Sequence, residues 1–134
     1  MVEHALSIGP GPYALQAAIA ACHARAETAE ATDWIRIAHL YEELARLTGS
    51  PVVEVNRAVA LGMAHGPEAG LALVDQLYGL PALQGYHLLP SVRGDLLEKL
   101  GRRDEARAEF ARAAAMTQNE RERALLMDRA RSSA

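Results

Sequence analysis

Apolar residues return every three or four positions along most of this chain. In "GPYALQAAIAACHA" Leu15, Ile19 and Cys22 stand at i, i+4 and i+7, the stripe by which an amphipathic helix faces a core. In "DWIRIAHLYEELARL" the apolar positions Trp34, Ile37, Leu40, Tyr41 and Leu44 follow i, i+3, i+6, i+7 and i+10. A period of two is never sustained long enough to predict a strand. Gln16 and His23 stand seven residues apart, which returns the second side chain to within about 20° of the first. They form a polar line beside the apolar stripe of the first helix.

Breakers divide the pattern into helices of roughly 11 to 18 residues. Gly11-Pro12 starts the first and "ETAEAT" ends it. Thr32 is the expected N-cap of the second, which stops at Gly49. Ser50-Pro51 supplies an N-cap and a proline at the first helical position, where the missing N–H costs nothing. Gly66-Pro67 repeats that device, "YGLPALQG" is a turn-rich joint, and Gly101 ends the helix containing "LLEKL". Asn119 with Glu122 forms an Asn-x-x-Glu start signal. Residues 1–10 carry little pattern and are expected to be a linker remnant. Residues 11–134 are expected to form one helical-repeat domain.

The helices repeat in pairs. Ala58, Leu61, Gly70, Val74 and Leu77 match Gly94, Leu97, Ala106, Phe110 and Ala113 at a constant separation of 36 residues. Small, apolar, small, bulky and apolar types correspond in turn. A tetratricopeptide unit is a helix pair of about 34 residues in which small positions let two helices approach while a bulky residue fills the gap. The pair from Pro12 to Leu47 fits less well, with Ile37 in the small position, as terminal repeats do when they also cap a stack. The predicted fold is all-α, a tetratricopeptide-like α–α superhelix of about three hairpins plus a closing helix from about Glu120 to Arg131. Leu125, Leu126 and the stem of Arg129 would cover the last apolar face.

Composition agrees. The 134 residues are 50% hydrophobic but only 4% aromatic, which suits one small domain of closely packed helices. A formal net charge of −3 gives no broad attraction for phosphate backbones, so no nucleic-acid binding is expected. Eight of the 14 Lys and Arg lie from Arg102 to Arg131 among six acids, making that part +2 and the rest −5. The spacings Glu98/Arg102, Asp104/Arg107 and Glu109/Arg112 predict ion pairs on solvated helix faces. Cys22 is alone and lies on an apolar stripe, so it reads as a small hydrophobe in a cytoplasmic chain. No membrane-spanning run or signal sequence occurs.

Five blocks, "GPYALQAAIAACHA", "TDWIRIAHLY", "SPVVEVNRAVALGMAHGPEAGLALVD", "GYHLLPSVRGDLLEKLGR" and "NERERALL", resemble in order the C-terminal extension of a group of bacterial extracytoplasmic-function RNA polymerase sigma factors, a branch of the sigma-70 family. The resemblance runs from Gly9 to about Arg131. It implies a tetratricopeptide-like domain that follows two promoter-reading sigma domains, neither of which is in this chain. The implied role is regulatory, in transcription initiation: modulating how sigma engages polymerase. The implied partners are the sigma domains of the same polypeptide, RNA polymerase, or a small protein of the DGPF (YCII-related) type.

In a stack of hairpins the first helix of each pair would present side chains to a partner. That selects Gln16 and His23 on the first pair, Asn56 and Arg57 on the second, and Tyr86, His87 and Arg93 on the third as a polar groove line for partner backbone or carboxylate groups. The structural alternative has Asn56 and Arg57 bonding neighbouring helix ends and Tyr86 and His87 tying down the joint before the third pair. Trp34 reads as a core or hairpin wedge. Asp33 reads as a favourable charge at a helix N-terminus. The histidines at 4, 23, 39, 65 and 87 never form a His-x-x-x-His pair, so no metal or other cofactor is expected. An enzyme would have to use His23 or His39 with Asp33 or Glu42, but no nucleophile, phosphate or dinucleotide motif accompanies them. A non-catalytic domain is therefore expected, with a stand-alone peptide- or ligand-binding adaptor as the alternative to the sigma extension.

Overall fold

The computed structural model describes residues 11–26 and 31–132. The expected linker at 1–10 and His4 lie outside the described residues. Seven α-helices run in order through them: α1 (Pro12–Arg25), α2 (Trp34–Thr48), α3 (Pro51–His65), α4 (Pro67–Leu77), α5 (Leu88–Lys99), α6 (Arg103–Met116) and α7 (Glu120–Ser132). One turn of 3-10 helix, Pro81–Leu83, sits in the joint between α4 and α5.

The ends follow their residues. Ser50 Oγ accepts from Val53 N at 3.4 Å ahead of α3. Gly66, at φ 107°, ends α3 and directly precedes Pro67 of α4, a conformation that favours glycine. After α5, Gly101 N donates to Glu98 O at 3.0 Å and Arg102 N to Leu97 O at 2.9 Å, a Schellman closure that needs the left-handed φ of 79° at Gly101.

The start of α2 differs from expectation, and that of α7 keeps its expected cap. The N-cap of α2 is Asp33, whose Oδ1 accepts from Arg36 N at 3.1 Å. It displaces Thr32, because a carboxylate one residue later both caps the backbone and meets the positive helix end. At α7, Asn119 Oδ1 accepts from Glu122 N at 3.0 Å, while the Glu122 carboxylate bonds His87 across the fold.

Consecutive helices pack on one another as hairpins, and α3 also meets α5, so the chain forms an all-α superhelix. Two apolar clusters fill it. One joins α1, α2 and α3 through Leu15, Ile19, Cys22, Ile37, Leu44 and Ala60. The other runs from α3 to α7 around Val55, Val74, Leu97 and Phe110. Leu61 packs against both and links them.

The 36-residue correspondence is visible in the packing. Ala58, Val74, Leu97, Ala106, Phe110 and Ala113 have no exposed surface. A Cβ on Gly70 would lie 2.6 Å from the Ala58 carbonyl oxygen, so the α3–α4 crossing tolerates nothing larger. In the next hairpin the glycine has moved to the first helix, where Gly94 faces the ring of Phe110. Cys22 is buried, as its stripe predicts.

The closing helix covers the core less completely than expected. Ala130 is buried and Leu126 half-buried, but Leu125 points outward. Of the three expected ion pairs, Asp104–Arg107 forms at 2.6 Å. Arg102 pairs with Glu105 at 2.7 Å while Glu98 meets Arg129 at 2.9 Å. Glu109 is not on a solvated face: it is buried and turned toward Tyr78 and Arg93.

Candidate functional site

Helix periodicity places Gln16 and His23 of α1 on one exposed line, and hairpin packing brings Asn56 of α3 to the same place. The three lie around a groove of about 330 Å³ between α1, α2 and α3, with Ile19, Leu44 and Val53 beneath and Tyr41 at its side. The side chains of Gln16 and Asn56 make no hydrogen bond within the described residues, leaving two carboxamides that can each donate and accept. The His23 ring stands edge-on to Trp34 at 5.4 Å between centroids. Trp34 also packs against the first apolar cluster, which is the wedge role expected of it. Burial raises the Tyr41 hydroxyl above the ordinary tyrosine range, so it remains a neutral donor.

The exposed face continues along the first helices. Val52, Asn56, Val59 and Met63 follow each other at intervals of four, three and four residues on α3, which keeps them on one line. Leu88, Val92, Asp95 and Lys99 repeat that spacing 36 residues later on α5. Lys99 Nζ lies 3.7 Å from Met63 Sδ, so the equivalent rows are neighbours in space. Val52, Val59, Met63 and Leu88 are exposed large apolar side chains.

The remaining candidates sit elsewhere. Arg57 Nη1 donates to Glu54 at 3.1 Å, and its Nη2 lies 3.5 Å from Glu42 on α2. His87 bonds Glu122 of α7, with the Tyr86 ring 6.4 Å away between centroids. Arg93 Nε donates to Asp75 of α4 at 2.9 Å, and Nη1 lies 3.6 Å from Glu109. Of the seven, only Gln16, His23 and Asn56 share a groove.

Arg57, Arg93 and Arg129 are themselves 36 residues apart. Each reaches an acid on a preceding helix: Glu42 on α2, Asp75 on α4, and Asp95 with Glu98 on α5. These arginines staple consecutive units, a regularity the sequence holds in its spacing.

A second polar cluster was not foreseen. Tyr78 OH donates to Glu109, Arg112 Nη1 donates to the Tyr78 oxygen at 3.2 Å, and the guanidiniums of Arg93 and Arg112 lie 5.4 and 4.9 Å from the Tyr78 ring centre. Burial first, then the hydrogen bond to Glu109, pushes the Tyr78 hydroxyl well above the ordinary tyrosine range. The readable signal is Glu109 itself, a carboxylate three residues after Ala106 and next to Phe110 on the buried face of α6.

Asp33, His39 and Glu42 line a wider groove of about 700 Å³ beside α2. Asp33 is engaged as a cap and Glu42 faces Arg57, and neither bonds His39. His23 is in the other groove. Among the described residues no group of three or more His, Cys, Asp and Glu side chains is gathered for a metal ion. No described helix is long and apolar enough to cross a membrane.

The chain is similar to an uncharacterized protein of Rhizobium meliloti (strain 1021), 53% identical over 117 residues. The match covers 87% of this chain and 27% of that relative, so the chain spans about a quarter of the length of the curated relative it matches. No family profile matches the chain, and no solved structure matches it.

Proposed function

We propose that this chain is a non-catalytic protein-interaction domain that acts through the exposed face of α1, α3 and α5. The observation that carries the reading is the groove of Gln16, His23 and Asn56, whose carboxamides are unpartnered, continuing into the exposed row of Val52, Val59 and Met63. Apolar contacts supply affinity and amides supply direction to a bound backbone. The committed carboxylates around His39 favour binding over acid–base chemistry.

Within that reading the partner is the transcription machinery: the domain modulates how an extracytoplasmic-function sigma factor engages RNA polymerase. The five sequence blocks support this. The partner surface is a sigma domain, polymerase, or a small DGPF-type protein, in the cytoplasm of a bacterium. The test is binding of the purified chain to core polymerase and to isolated sigma domains, followed by abortive transcription with and without the chain. Specific binding that Asn56→Ala and Val59→Asp weaken is expected. Absence of binding to all of them, with transcription unchanged, overturns the assignment and leaves the stand-alone adaptor.

A further inference from the structure

Helix α7 stands in repeat register with the first helices before it. Arg129 and Ala130 follow Arg93 and Gly94, which follow Arg57 and Ala58, at intervals of 36 residues. Of the earlier first helices, α3 buries Val55, Ala58 and Ala60, and α5 buries Leu89, Leu96 and Leu97. On α7 the only buried residue is Ala130, with Leu126 half-buried against the core. Apolar burial is therefore smaller at α7 than at α3, and far smaller than at α5.

Polar contacts take its place. Arg129 Nη2 donates to Asp95 at 3.1 Å and to Glu98 at 2.9 Å, and the same guanidinium lies 4.3 Å from the centre of the Phe110 ring. Glu122 bonds His87 at the start of α5. Arg123 Nη2 donates to the Thr117 carbonyl at 2.9 Å in the α6–α7 joint. The ion pairs of Arg129 are screened by salt, unlike the apolar core beneath them.

We infer that α7 is an electrostatic latch: a helix held on α5 and α6 mainly by the ion pairs of Arg129 with Asp95 and Glu98, beside the His87–Glu122 hydrogen bond, which opens as its own unit and uncovers the face of Phe110 that Arg129 covers. Helices with few apolar contacts open below the global unfolding free energy. Raised ionic strength, or a competitor for Asp95 and Glu98, releases it while α3 and α4 remain folded.

Segment-resolved hydrogen exchange of the 134-residue chain tests this. In low salt the amides of α7 should exchange faster than those of α5 and α6. About 1 M sodium chloride should speed α7 by about tenfold, with α3 and α4 unchanged. Arg129→Met, which keeps an apolar stem over Phe110, should speed α7 selectively and remove most of its salt response. Exchange of α7 in step with α5 and α6 overturns the latch, as does an α7 rate that neither salt nor Arg129→Met changes. Loss of protection in all helices together also overturns it.

Discussion

A methyl group placed on Gly94 would stand 2.8 Å from the ring of Phe110, a residue with no exposed surface. The helix pair α5–α6 is built to that clearance, and the pair α3–α4 to a tighter one at Gly70 and the Ala58 carbonyl.

Three alanine substitutions rank these contacts. Gly70→Ala meets backbone and should cost about 2–3 kcal/mol. Gly94→Ala meets a fixed ring and should cost about 1–2 kcal/mol after the gain in helix propensity. Gly62→Ala meets only the end of the Leu96 side chain, at 2.8 Å, and should be within about 0.5 kcal/mol of neutral. Urea titration followed by circular dichroism measures all three, and a reversed order refutes the packing account.

Tyr78→Phe removes the hydroxyl that donates to Glu109 and leaves a buried carboxylate with Arg93 at 3.6 Å. A loss of about 1–2 kcal/mol is expected. A double-mutant cycle with Glu109→Gln should return a coupling of about 1 kcal/mol.

The same pair sets a pH dependence at the alkaline end. The folded tyrosine's pKa lies above the unfolded value of 10.0. The neutral hydroxyl is thus favoured by folding, and its contribution is complete below that value and lost as pH rises past it. The stability gap between the native chain and Tyr78→Phe should be constant from pH ~7 to ~9 and shrink above pH ~10. A gap unchanged at pH ~11 contradicts the assignment.

Asp33→Ala should cost about 1 kcal/mol, because Arg36 N loses its acceptor. Thr32→Ala should change stability by less than about 0.5 kcal/mol. A larger loss from Thr32→Ala than from Asp33→Ala would put the cap back at Thr32.

Gln16→Ala and Asn56→Ala remove amides that have no partner in the fold, so thermal unfolding should shift by no more than about 0.5 kcal/mol each. Binding of the partner should weaken by roughly tenfold for Asn56→Ala and more for Val59→Asp, which places a charge in the apolar row. Calorimetric titration against the partner found by the binding assay reads both.

The helices were legible because their information is local. Proline at the first position of α1, α3 and α4, the glycines after α2, α3 and α5, and the stripes of Leu15, Ile19, Cys22 and Ile37, Tyr41, Leu44 specify dihedrals and faces within a few residues. The repeat was legible because 36-residue spacing is a property of the chain itself. The partition of the polar residues was not. Arg57 and Arg93 occupy the first helices as Asn56 does, yet a long guanidinium stem reaches acids on the preceding helix while a short carboxamide stays on its own exposed face.

Sequence alone therefore settles the all-α character, most of the helix ends and the pairing of small with bulky positions, since each depends on neighbours along the backbone. Tertiary structure alone decides which charges meet. Glu109 is three residues from Arg112 and 31 from Tyr78, and it bonds the tyrosine. Burial removes water as a competitor, so the partner is whichever group the packing of α4 against α5 and α6 brings within reach.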